Sequence, residues 1–341
     1  RIMGGLSDAK SMPDGATVVI EKSEGRISGK IVSFENKKAF KIWVNEEGKV
    51  VSREVNINNV ACVNYPKEHK HENVKKRDTS KDTFSKAQPQ YESLPGASHV
   101  IYLDFDGEFV RNTSWARGGD INARPSGMSD QSIRNVWTNM SEDFAPFKVN
   151  VTTKRSVYDA TPKNRRIMCI WTPTTTAAPG SGGVAWLNGF SANNDEPCWA
   201  FILNHDQSAG EVGSHEIGHT HGLRHDGKSG GTTYYAGHNG WAPIMGVSYR
   251  SNIGHWSKGE YNGANNREDD KAIISNSRNG FGYKTDDHGN TRDNATAINS
   301  DASGNVSGSN NKGLIEKSTD KDVFSFTTSG GTVDFKFNPP A

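Results

Sequence analysis

Between Ser214 and Gly227 the chain reads SHEIGHTHGLRHDG, a run dense in groups that bind metals and move protons. On a helix, His215 and His219 stand four residues apart, so both imidazoles leave one face a turn apart. Two ligands of one metal ion need that geometry. Glu216 follows the first histidine, offset enough to miss the ion and close enough to reach a water on it. Gly222 can end the helix cheaply in a left-handed conformation. The chain can then turn and bring His225 back as a third ligand. Three neutral histidines leave one coordination position open, as in catalytic rather than structural zinc sites. The competing reading is a polar helix with surface histidines. His221, two residues past His219, lies on another face and is expected in solvent rather than on a metal. His205 has no ligand spacing.

The elements that position this run are legible around it. Val100 to Phe105, in HVIYLDFDG, reads as a buried strand. Ile133, Val136, Trp137, Met140 and Phe144 share one helical face, with Ser129 as N-cap and Pro146 as terminator. FKVNVTT, RRIMCIWTP, GGVAWLNGF and CWAFILN follow as strands, and the histidine helix begins near Ser208. Strand, helix, several strands and helix make an α/β layout with a mixed sheet.

Flanking segments differ in texture. Residues 15 to 65 alternate apolar and polar with turns at SEGR and NEEGK, a small all-β meander. Residues 67 to 95 hold almost no aliphatics and read as an exposed linker, with Lys75-Lys76-Arg77 either a protease-sensitive site or an ordinary solvated charge run. From about Asp286 the chain is polar and turn-rich, then alternates in DKDVFSFTTSGGTVDFKFN. This reads as the start of a β-sandwich module, incomplete at Ala341. The expected units are 1–66, 67–95, 96–283 and 284–341.

Composition narrows the class. The 341 residues carry a formal charge of +1, which argues against a dedicated nucleic-acid binder. Apolar residues make up 33%, with 36 glycines, and mean hydropathy is -0.73, as in a polar, loop-rich protein. No apolar run approaches the roughly 20 residues of a membrane helix. The chain begins at Arg1, so a preceding piece, signal peptide included, is expected to lie outside it.

The run HEIGHTHGLRHD, residues 215 to 226, resembles the metzincin zinc-endopeptidase motif, and WAPIMGVSY resembles that family's methionine turn. The resemblance covers roughly residues 97 to 283. It is closest to secreted bacterial reprolysin-like proteases of the adamalysin branch, and it implies a metzincin-type catalytic domain, secretion and a protein or peptide substrate. Met245 would form an apolar floor beneath the zinc, and Asp226 would be a buried anchor rather than a ligand. Gly183, Val184, Ala185 and Trp186 would line the substrate cleft and pair with peptide in β-augmentation style. Astacins and serralysins place a metal-binding tyrosine two residues after the turn methionine. Here that position is Val247, so Tyr249 is not assigned as a ligand. Zinc would acidify its water and polarise the scissile carbonyl, with Glu216 as general base.

Three cysteines leave one over in any pairing. Cys169 and Cys198 both adjoin strands of the central unit, and a mutual disulfide is expected in an exported protein. Cys62 then stands alone. Metzincins often stay latent through a propeptide cysteine on the zinc, so the leading unit is expected to be a pro-domain acting as intramolecular inhibitor, with Cys62 as its switch. The plainer reading of Cys62 is a small buried hydrophobe.

Other polar groups give weaker signals. Asp104 and Asp106 offer hard oxygen ligands suited to Ca2+, or form a loop-facing polar pair. Glu268, Asp269 and Asp270 suit a helix N-terminus. His238 could shape the cleft wall. The tail resembles a bacterial pre-peptidase C-terminal domain, in which Asp320 and Asp322 are expected to organise a turn. Two other functions compete. A gluzincin-type peptidase would use Glu260 or Glu268 as third ligand, against which stand His225 and Met245. A non-enzymatic adhesion protein with a relic metal site would not need Glu216.

Overall fold

The computed structural model describes residues 2–6, 16–23, 26–33, 36–45, 47–62, 87–249, 251–308, 311–328, 330–332, 334 and 336. The Lys75-Lys76-Arg77 site and most of the expected linker lie outside them. The chain is mixed α/β, richer in strands than in helices. No helix among the described residues is long and apolar enough to cross a membrane.

The leading segment forms one antiparallel sheet in sequence order, from β1 (Ile2–Leu6) and β2 (Ala16–Ser23) through β3 (Arg26–Ser33), β4 (Lys38–Val44) and β5 (Val50–Val55). The central unit adds β6 (Val100–Asp104), a hairpin of β7 (Glu108–Val110) and β8 (Ile121–Ala123), then β9 (Asn150–Thr152), β10 (Arg166–Trp171), β11 (Gly183–Val184) and β12 (Cys198–Ala200). Its main sheet runs β11-β12-β10-β6-β9, parallel except for β11 at the edge. Helices α1 (Asp130–Asp143), α2 (Arg155–Ala160), α3 (Asp206–His221) and α4 (Asp270–Ile274) complete it, with a small parallel pair of β13 (Trp241–Pro243) and β14 (Ile253–His255).

Period-two alternation divides the sheet's two faces. Ile101, Leu103, Ile167, Cys169, Trp171, Cys198 and Ala200 share one core with α1 and α3. Val100, Tyr102, Met168, Ile170 and Trp199 face a second core, which Val32, Ala39, Ile57, Val60 and Ala61 of the leading segment enter. A sheet buried on both faces explains strands that read as continuous apolar runs.

α1 starts where expected, with the Ser129 hydroxyl accepting from Ser132 N–H. α3 contains Gly210, Gly213 and Gly218, poor helix formers. Packing imposes the helix, because a Cβ at Gly213 would sit 2.4 Å from the Trp171 ring and 2.7 Å from the Met140 sulfur. Bare backbone lets α3 lie against α1 and β10.

Asp143 and Glu211 are buried between these helices. Asp143 accepts from the Ser214 hydroxyl and Glu211 from the Ser248 hydroxyl. Burial pushes both carboxyl groups above their ordinary range, and Glu211 pushes Asp143 further. With a folded pKa above the unfolded one, the group supports the fold fully below the unfolded pKa, and that support is lost as pH rises through the folded pKa. Asp143→Asn is therefore expected to stabilise the protein by about 1–2 kcal/mol at pH 8 and by almost nothing at pH 4. Thermal unfolding of both proteins across pH checks this, and a pH-independent difference contradicts it.

Two expectations need correction here. The stretch expected as linker up to residue 95 is part of the central unit from Gln88 on. The Gln88 amide donates to Tyr102 Oη, Leu103 O and Thr153 O at 3.0, 3.0 and 2.8 Å and accepts from Phe105 N–H at 2.8 Å. Ser93 N–H adds a bond to Val151 O at 3.0 Å. Polar residues there satisfy sheet backbone rather than solvent. The expected Cys169–Cys198 disulfide is also not formed, and both thiols are free and buried. They are register partners on adjacent parallel strands, where side chains stand side by side, perpendicular to the sheet, rather than turned toward each other as a disulfide needs. In the tail, Thr296–Ala297 (β15) pairs with Phe324–Ser325 (β16), and Ser300 bridges Val306. The expected sandwich strands beyond Phe326 lie partly outside the described residues.

Candidate metal centre

α3 carries His215 and His219 on one face, and Gly222 ends it with φ 109° while its N–H bonds back to Gly218 O and His219 O. A Cβ at Gly222 would sit 2.6 Å from Asn188 Oδ1, so both conformation and space call for glycine. The chain then returns His225 to the same point. His219 Nε2 lies 3.0 Å from His215 Nε2. Cys62 Sγ completes the group, 3.3 Å from His225 Nε2 and 3.8 Å from His215 Nε2. The four ligand atoms all lie within 4.8 Å of one another, a buried group that could hold a metal ion.

The tautomers follow from the outer contacts. His215 Nδ1 lies 2.8 Å from Ile244 O, and His219 Nδ1 lies 2.8 Å from Leu223 O. A carbonyl only accepts, so each Nδ1 carries the proton and each Nε2 offers a lone pair. Burial lowers all three imidazoles, His219 to about 4 and the other two well below the usual value, so the neutral form prevails at pH 7. Two lone pairs facing each other at 3.0 Å repel unless a cation sits between them. The donor set therefore fits a metal ion.

Cys62 arrives by strand pairing. Its N–H donates to Ala185 O at 3.1 Å, and Leu187 N–H donates to Val60 O at 3.2 Å, with Ala61 opposite Trp186 in an antiparallel bridge. Val60 and Ala61 pack into the second core, while Cys62 joins the α3-side core. Ala185 and Trp186 thus pair through their main chain with this chain's own residues. The Trp186 ring faces away from the histidines, stacked on Trp115 with centroids 4.9 Å apart and under Lys30 Nζ at 4.1 Å.

Glu216 is fully buried beside the group, and neither carboxyl oxygen makes a hydrogen bond of good geometry. Burial raises it well above the ordinary carboxyl range, the Cys198 thiol adds to the rise, and the Cys62 thiol opposes it. Gly183 makes room for it, since a Cβ there would sit 2.5 Å from Glu216 Oε1. Beneath the helix, a Cβ at Gly218 would sit 2.6 Å from the Met245 sulfur, so Met245 packs against bare backbone one residue before His219. Asp226 is buried, its N–H bonded to Met245 O at 2.8 Å. Burial and then Glu268 push its carboxyl up to about 7.

The other sequence candidates fall outside this group. His221 is no ligand, but it is not in solvent either. It is 1% exposed, its ring 4.6 Å from that of Phe190 and 5.4 Å from that of Phe281, because α3 is wrapped on all sides. His205 is the N-cap of α3. Glu268 pairs with Arg224 at 2.8 Å and Asp269 caps α4. Tyr249 packs against the α3-side core, and exposed His238 bonds to Tyr235 Oη at 2.9 Å. Asp104 and Asp106 join no metal-sized group among the described residues, and Asp104 instead accepts from Gly107 N–H at 3.1 Å. Acidic groups gather in the tail, Asp286 with Glu316 and Asp320, and Asp287 with His288 and Asp322. Asp320 also holds its loop by accepting from Glu316 N–H at 3.0 Å.

Sequence reasoning missed Tyr234. Its hydroxyl lies 3.7 Å from Cys62 Sγ and its ring centroid 4.4 Å from that of His225. It lies between His225 and Met245, where no spacing rule marks it. Compared with protein-family models, curated proteins and solved structures, the chain matches none of them.

Proposed function

We propose that this chain is the latent form of a secreted zinc-dependent endopeptidase of metzincin type, nearest in its motifs to the adamalysin branch. Three histidine nitrogens and the Cys62 sulfur converging beside an enclosed Glu216 carry this reading. A tetrahedral zinc site with three nitrogens and one sulfur has donor separations of about 3.3 Å for N···N and about 3.6 Å for N···S. The N···N contact of 3.0 Å and the N···S contacts of 3.3 and 3.8 Å lie close to those values. Nitrogen and thiolate donors also disfavour magnesium and calcium, which take oxygen.

Bound there, the ion would supply Lewis-acid polarisation of a peptide carbonyl and acidify a water. The chain's own groups do the rest. Glu216 takes the proton from the attacking water as the new C–O bond forms. It passes that proton to the amine nitrogen as the C–N bond breaks, leaving a carboxylate and a free amine. Ala185 O and Leu187 N–H, occupied by Cys62 and Val60, offer an extended peptide the same antiparallel hydrogen bonds once residues 60–62 leave. The leading sheet is then the chain's own inhibitor, with Cys62 in the position a substrate needs.

The test is metal analysis of the full chain together with cleavage of an unfolded protein before and after nicking near Lys75–Arg77. Stoichiometric zinc throughout and cleavage only after nicking are expected. A nicked, metal-loaded protein that cuts nothing, or a chain that binds no metal, refutes the reading.

A further inference from the structure

Tyr234 borders the same sulfur as the histidines. Cys62 Sγ lies 3.7 Å from the Tyr234 hydroxyl, 3.3 Å from His225 Nε2 and 3.8 Å from His215 Nε2. The ring packs on His225 with centroids 4.4 Å apart and lies 6.0 Å from that of His215. Its backbone is held on both sides, since the Thr232 hydroxyl accepts from Tyr234 N–H at 3.1 Å and donates to Tyr234 O at 2.9 Å. Tyr235 N–H then donates to Asp226 O at 2.7 Å, strapping this loop to the residue after His225. A phenol fixed in this way needs little reordering to act.

The sulfur marks the fourth position around the three nitrogens. When Cys62 withdraws, the attacking water and the oxygen of a peptide carbonyl are the groups that come to that side of the histidines. We propose that Tyr234 is a catalytic residue whose O–H donates a hydrogen bond to that oxygen as it gains negative charge, an assignment that rests on the endopeptidase reading above. A contact of 3.7 Å to sulfur becomes a normal O–H···O bond of about 2.8 Å after a shift of about 1 Å. Glu216 and Tyr234 then divide the work at the site. The carboxylate handles the proton of the water, and the phenol handles the charge on the carbonyl oxygen. A donor placed where charge develops is worth more in a dry site than in water.

Tyr234→Phe tests this in two settings. In a Cys62→Ala background, kcat is expected to fall about 100-fold with KM changed little, and affinity for a phosphinic peptide that mimics the tetrahedral state to fall in parallel. Zinc content and the unfolding midpoint should match the parent. In the cobalt-loaded latent chain, the sulfur-to-metal absorption band should move as Sγ loses the phenol. A kcat within about threefold of an active parent, with unchanged phosphinate affinity, overturns the assignment alone. Loss of metal from the Phe variant does so too, since it would mark Tyr234 as a prop for the ligands. A parent that neither cleaves peptides nor shows the sulfur band overturns the endopeptidase reading, and the assignment with it.

Discussion

Glu216→Gln is expected to abolish peptide cleavage while leaving zinc in place. The carboxylate is not among the four converging ligand atoms, so its replacement removes no donor. Glutamine keeps the shape in a site where Gly183 leaves just enough room, since even a Cβ there would sit 2.5 Å from Glu216 Oε1. What is lost is the base, worth about 100-fold to 10,000-fold for a positioned acid–base group. Metal analysis and turnover of an unfolded protein by the nicked variant check it. Substantial remaining activity in metal-replete protein would remove Glu216 from that role.

Cys62→Ala is expected to release activity from the uncut chain. The sulfur holds the fourth position, and its removal leaves the two strand hydrogen bonds of residues 60–62 and the shared apolar core, but nothing on the metal. If the closed form exceeds the open one by 99 to 1 in the parent, the uncut variant gains about 100-fold in activity. A serine at position 62 should behave like alanine, because a neutral hydroxyl is a poor replacement for a thiolate on zinc. The comparison of uncut variant and uncut parent on one peptide decides it. Unchanged latency would mean that the leading sheet blocks the cleft by bulk, with Cys62 incidental.

How much of this could be read from the residues depended on range. The pairing of His215 with His219 is a property of one helix, and Gly222 is a local stop, so both follow from short-range geometry. So do the Ser129 cap and the alternating strands. His221 is buried although a helix of glycine, serine and histidine looks polar on every face. Burial there comes from Phe190, Phe144 and Phe281, which are distant in sequence. The cysteines failed differently. Cys169 and Cys198 are neighbours as expected, but side chains at register positions of parallel strands stand side by side rather than turned toward each other. Gln88 sits in a stretch whose composition matches a linker, and only its four hydrogen bonds show that polarity serving a sheet. Tyr234 and the bridge at Val60 to Cys62 depend on tertiary approach alone. No periodicity within either segment points at the other.

The pairing of residues 60–62 with residues 185–187 is also a tethered equilibrium. While the chain is intact, the inhibitory strand is held near its site at an effective concentration on the order of millimolar. Cutting the segment before Gln88 changes no contact in the site, yet it turns a unimolecular closure into a bimolecular one. On the latent-peptidase reading, dilution then becomes part of the trigger. A cut molecule in a concentrated compartment stays shut, and the same molecule opens as its fragments diffuse apart.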